Sequence, residues 1–249
     1  MFEFLVTTKL SDVPSDRTVI MVDGTVPGWE PRDSDYHWDH HRPGGAKCQI
    51  EEIPLGAIAG CDQEINLPSN VVFVTTLLDA DACVAAAAIM LAVEYPEMVQ
   101  TAIYGSNRDW LDRLNAIALD CDHLQIPDGY PHIQNYSEFA ADVVAGMKEN
   151  GESIIRKLEL PSDRKQWTEE QRLACYSEGF KQGADALYYA VLGERPWPTA
   201  EFYWEEQNKK KQYLVTENRL SMIDGTLLIN IRGWEHGYID PRCPLRAAK

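Results

Sequence analysis

The residues best suited to chemistry stand together at Asp39-His40-His41, followed by Arg42 and the turn Pro43-Gly44-Gly45. A carboxylate and two imidazoles in a row can bind or orient a metal ion. The turn can bring backbone N–H groups and the Arg42 guanidinium toward a bound phosphate. Taken alone, the tripeptide also reads as a polar surface loop. Asp79 and Asp81 flank Ala80 between an apolar run and an alanine-rich segment. Carboxylates there cap a helix N-terminus; one residue apart, they can also reach two different metal ions. Asp23 closes the run Val19-Ile20-Met21-Val22, and Asp120, Asp122 and His123 follow the largely apolar run Leu114 to Leu119. Oxygen ligands with imidazole suit a hard octahedral ion such as Mn²⁺ or Mg²⁺. The metal candidates are therefore Asp23, Asp39, His40, Asp79, Asp81, Asp120 and Asp122.

A second dense patch is Arg232-Gly233-Trp234-Glu235-His236, continuing to Arg242. In an acidic chain Arg232, His236 and Arg242 are candidates for gripping a phosphate. A folded-back tail with its charges paired to nearby acids is the plainer reading. Trp29, Tyr36 and Trp38 precede the histidine loop and offer a substrate wall, against the alternative of packing in the core.

These groups need elements to hold them. Val19 to Val22 reads as a buried strand with a carboxylate at its C-terminal end. Val71-Val72-Phe73-Val74 reads as another, followed by Thr75-Thr76, and Ala82 to Val93 as a buried helix. Strand, turn, helix is the pattern of α/β proteins, whose sites gather at the C-terminal ends of strands. Ala102-Ile103-Tyr104 reads as a further short strand. Tyr136 to Lys148 carries a helical period. The capping box Thr168-Glu169-Glu170-Gln171 opens an amphipathic helix reaching Leu192-Gly193. After the break Pro196-Trp197-Pro198, a charged helix is expected from Ala200 to Lys210. Gln212 to Val215 and Leu227 to Ile231 then form a hairpin or sheet edge. The fold expected is α/β, a mostly parallel sheet flanked by helices, with a more helical C-terminal half. Residues 1–130 form the metal-binding region and 131–249 the helical region with its closing strands. The soft boundary at residues 125–135 separates parts packed into one domain.

The 249 residues can bury a sizeable core. With 45% apolar and 25% charged residues the chain is globular rather than disordered. A net charge of -16 gives long nucleic acid no broad electrostatic footprint. It leaves room for a small anion bound by a metal or a local cationic cluster. The six cysteines include no C-x-x-C pair, which argues against a zinc site or a disulfide scaffold and for reduced, buried thiols. The N-terminus has no signal-peptide character, and no apolar run is long enough to span a membrane. A cytoplasmic protein is expected.

Asp39-His40-His41 with Asp79-Ala80-Asp81 resembles the DHH phosphoesterase superfamily, over roughly residues 19 to 123, where the α/β pattern lies. Members hydrolyse pyrophosphate, short RNA or cyclic dinucleotides. The resemblance implies a two-metal phosphoesterase using two Mn²⁺ or Mg²⁺ ions, with a small phosphate ester, nucleotide or very short oligonucleotide as substrate. Asp79 and Asp81 match the family's D-x-D, Asp23 the lone strand-end Asp shared between ions, and His40 the first, metal-binding His. Asp120 or Asp122 matches the last Asp. The second His, matched by His41, lies near the substrate; His41 and Arg42 are expected to stabilise charge on the transferred phosphoryl group. Two features depart from the pattern. Thr75 stands where a ligand His belongs, and D-H-H precedes D-x-D as in a circular permutation, which is tolerable when termini lie close together. The family's substrate-gripping domain has no copy here; the Arg232 to Arg242 patch is its expected substitute. The rival readings are a catalytically degenerate member that binds a ligand or partner, and a helical interaction module at Thr168 to Leu192. The polar Glu, Lys, Gln and Arg of that helix disfavour the second. A homodimer is compatible with either enzyme or binding protein.

Overall fold

The computed structural model describes residues 2–41, 70–105, 107–123, 140, 143, 146–147, 153–199, 202–207, 210–215, 218–223 and 226–231. Side chains are described outside 119–123, 164 and 202–231.

Four strands build a parallel sheet: β1 (Glu3–Val6), β2 (Thr18–Val22), β3 (Tyr36–Trp38) and β4 (Val71–Thr75), in the order β1-β4-β2-β3. Every residue of β2 and β4 is buried, as parallel strands covered on both faces require. The two faces follow the period-2 alternation of strand side chains. Ile20, Val22, Val71 and Phe73 face a core shared with the helices. Val19, Met21, Val72 and Val74 face a smaller cluster closed by Val26 and Trp29 from the β2–β3 connection. Register aligns Val6 with Thr75, Met21 with Val74, and Val22 with Trp38. The chain therefore leaves β2, β3 and β4 along one edge of the sheet.

Helix α1 (Ala80–Glu94) is buried from Ala80 through Ala92. A helix apolar all round must be enclosed on every side, and α1 lies among the sheet, α3 (Asp109–His123) and α4 (Glu169–Val191). Small residues permit the close approach: a Cβ at Gly183 of α4 would strike Cys83 Sγ of α1. The capping box forms as expected, Thr168 Oγ1 accepting from Gln171 N and Gln171 Oε1 from Thr168 N.

The expected strand at Ala102-Ile103-Tyr104 is instead the end of α2 (Pro96–Ile103). Pro96 at the first helical position pre-sets the helix, and buried Val99 and Ala102 keep a three-residue spacing. Leu114 to Leu119 lies inside α3. β1 carries the first residues into the sheet, a role not read in them. The charged helix expected from Ala200 to Lys210 is also corrected. Phe202–Gln207 is β5, paired antiparallel with β6 (Lys210–Val215), then β7 (Asn218–Ile223) and β8 (Thr226–Ile231). The aromatic start Phe202-Tyr203-Trp204 favours strand over helix, so 202–207 joins the closing strands. No single helix among the described residues is long and apolar enough to cross a membrane. Cys83 and Cys175 are buried free thiols.

Candidate metal centre

Asp23 stands one residue beyond β2 with φ 45°, the left-handed region that non-glycine residues seldom adopt. Two backbone contacts hold it there. Its N–H donates to Trp38 O at 3.4 Å, and its carbonyl accepts from Thr75 Oγ1 at 2.8 Å. Gly24 follows with φ 113°, where any Cβ would collide with Thr76 Oγ1. The turn leaves the Asp23 side chain 2% exposed at the sheet edge.

The histidine loop leaves β3 beside it. His40 and His41 stack with ring centroids 4.1 Å apart. Both aim Nε2 at Asp23 Oδ1, at 3.3 Å from His40 and 3.0 Å from His41. Asp81, in the first turn of α1, brings Oδ2 to 3.9 Å from His40 Nε2. Its other oxygen accepts from Ala82 N at 3.1 Å, an N–H shared with Asp79 Oδ1 at 3.2 Å. Asp79 is thus the helix N-cap. One donor atom from each of Asp23, His40, His41 and Asp81 lies within 4.8 Å of the other three. His41 is 60% exposed and His40 9%, so the cluster opens to solvent on the His41 side.

Burial pushes the Asp23 carboxyl up, but His40, His41 and Asp79 outweigh it and hold Asp23 well below the usual carboxylate range. Asp79 moves the other way, pushed up to about 8 by burial and then by the charge of Asp23. The two carboxylates lie close enough for the charge of one to oppose ionisation of the other. Two carboxylates and two imidazoles whose donor atoms lie within 4.8 Å of one another form a donor set suited to a hard or borderline divalent cation.

Of the expected metal residues, Asp23, His40 and Asp81 come together, and His41 joins them. Asp79 touches the group through Asp23 and its cap. Asp39 lies outside it: Oδ1 accepts from His41 N at 2.8 Å and Oδ2 from the Thr25 hydroxyl at 2.5 Å. Asp39 shapes the loop that carries the imidazoles. Asp120 and Asp122 lie in the last turns of α3, with side chains outside the described residues. Arg42, Arg232, His236 and Arg242 also lie outside them. Trp29 and Trp38 are core residues rather than a substrate wall, and Tyr36 is partly buried against Trp38. Thr25 and His37, which contact each other at 2.6 Å, were not anticipated; their one sequence signal is a place two residues after Asp23 and two before Asp39. Comparison with protein-family models, with curated proteins and with solved structures gives no match, so the functional argument rests on this geometry.

Proposed function

We propose that this chain is a metal-dependent phosphoesterase acting on a small phosphate ester, a nucleotide or a very short oligonucleotide. The observation that supports it is the convergence of Asp23, His40, His41 and Asp81 where three neighbouring parallel strands end. Asp23, His40 and Asp81 would hold the cation from the buried side and His41 from the solvent side. A divalent cation, Mn²⁺ or Mg²⁺, would supply Lewis-acid polarisation of a phosphoryl oxygen and a water of lowered pKa. The chain's own residues do the rest. Asp23, kept ionised by its neighbours, fixes the two imidazole Nε2 atoms. His41, the member of the cluster open to solvent, stands on the side from which a substrate oxygen would approach the cation. Arg42, next in sequence, is the candidate to stabilise phosphoryl charge. The charge of -16 favours a small substrate over a long polyanion.

A second reading is a member that binds a cation and ligand without turnover. Thr75 favours it: where the resemblance implies an imidazole, the chain has a buried hydroxyl committed to main-chain carbonyls. One test separates the two. Manganese is counted per chain after Mn²⁺ loading and desalting, and hydrolysis of bis(4-nitrophenyl) phosphate and of a dinucleotide is assayed, for wild type and His40→Ala. Bound manganese with hydrolysis, both lost in the variant, is the expected result. Bound manganese without hydrolysis selects the second reading. No bound manganese in wild type removes both.

A further inference from the structure

Behind the histidine loop runs a line of polar contacts that supplies no ligand to the cluster. His37 of β3 places Nε2 at 2.6 Å from Thr25 Oγ1. The same hydroxyl lies 2.5 Å from Asp39 Oδ2, and Asp39 Oδ1 accepts from the His41 backbone N–H at 2.8 Å. A hydroxyl has one hydrogen to give. With that hydrogen on the Asp39 side, the Thr25 oxygen can only accept from His37. The neutral ring must then carry its proton on Nε2, which fixes the tautomer through a neighbour's geometry. The ring is also oriented from its side: Trp29 stands edge-on to it, with centroids 5.1 Å apart and planes at 90°. Trp29 is itself anchored among Val19, Met21 and Val74 of the sheet. The line therefore starts on a rigid element and ends on the backbone of a candidate ligand.

We infer that His37 and Thr25 are positioning residues for the metal centre: they lock Asp39, which in turn locks the His41 backbone so that both imidazoles reach Asp23. The inference deepens the proposed function and rests on it for the identity of the cation. The physical need is evident. His40 and His41 follow a strand of three residues, and His41 is largely exposed, so β3 alone gives the loop little restraint. A carboxylate bridging Thr25 and the His41 N–H supplies that restraint. Groups that orient metal ligands this way characteristically govern affinity by about 10–100-fold when removed.

The test uses the full chain. In ¹⁵N-labelled, metal-free protein the His37 ring is expected to carry a proton on Nε2. The His41 amide proton, bonded to a carboxylate, is expected downfield; it should move upfield in Thr25→Val and return in Thr25→Ser. Mn²⁺ affinity by titration calorimetry should fall at least about tenfold in Thr25→Val and recover in Thr25→Ser. A His37 ring lacking the Nε2 proton, or a His41 amide unmoved by Thr25→Val, overturns the inference whether or not a cation binds. Wild type that binds no Mn²⁺ sinks the metal-centre reading alone, and the amide shifts still decide the positioning. If Thr25→Val does not fold, His37→Leu against His37→Gln, which retains a donor, makes the same comparison.

Discussion

At position 75 a hydroxyl stands where the resemblance implies an imidazole, and that hydroxyl is occupied. Thr75 is fully buried at the end of β4, within reach of the Asp23 and Leu77 carbonyls at 2.8 and 3.0 Å. It ties β4 to the strained turn after β2, where Asp23 sits at φ 45°. Thr75→Val keeps the shape and leaves a buried carbonyl with one donor fewer, at a cost of about 1–3 kcal/mol. Urea unfolding should show this as a lower midpoint with unchanged slope, and Thr75→Ser should keep most of the loss from appearing. A Val variant as stable as wild type would mean the contact to Asp23 is not needed to hold the turn. The same residue shows what single positions disclose. Asp23, His40 and Asp81 are legible because a strand-end or helix-start carboxylate, or a histidine, has few roles. Asp39 is legible by type and misleading by role, since its oxygens serve Thr25 and the His41 N–H. Thr25 and His37 carry no signal in themselves; their meaning arises from being brought against each other by the β2–β3 connection.

Elements were legible where local preference and burial agree. β2, β4, α1 and α4 combine a clear apolar pattern with a turn or cap at the boundary, and each forms close to its expected limits. β1 and β3 are four and three residues long, too short for periodicity to register. The glutamates of β5 resemble a charged helix, against an aromatic start that favours a strand; pairing with β6 decides for the strand. Asp224-Gly225, between β7 and β8, was an available hairpin signal. The β2–β3 connection supplies a prediction at this scale. Asp35 accepts from Val19 N at 2.9 Å, Arg32 N at 3.0 Å and Arg32 Nε at 2.7 Å, while the Arg32 guanidinium also reaches the Ser15 and Arg17 carbonyls. Burial raises the Asp35 carboxyl, but Arg32 and the backbone donors outweigh it and hold the group below its ordinary value. A folded pKa below the unfolded one stabilises at every pH above the unfolded value, about 3.9, and the gain disappears as pH falls through the folded value. Asp35→Asn should therefore lower stability at pH 7 by about 1–3 kcal/mol and weaken the decline of stability below about pH 4. Chemical denaturation at pH 7 and pH 3 checks it: a variant that loses as much at pH 3 as at pH 7 contradicts the linkage.

Over the whole molecule the acidic balance and the site meet in one energetic question. The chain carries -16, and Asp23, Asp79 and Asp81 are buried together at the sheet edge. Without a cation, that cluster is a store of repulsion, visible in the way Asp23 raises Asp79. A protein that keeps such a cluster gives up stability in the metal-free state for a site that a cation can occupy. Two opposite effects of one substitution follow. Asp81→Asn removes one negative charge from the cluster while preserving an oxygen acceptor for Ala82 N, so the metal-free variant should melt at or above the wild-type temperature. Mn²⁺ at a hundredfold excess over its dissociation constant should stabilise wild type by about 2.7 kcal/mol, a rise of roughly 5–10 °C for a chain of this size. The variant should show little or none of that rise, so the two melting curves exchange order when Mn²⁺ is added. Differential scanning calorimetry with and without Mn²⁺ measures this directly. Curves that keep their order would mean Asp81 contributes to the core and not to cation binding; an equal rise in both would place the ion elsewhere on the acidic surface.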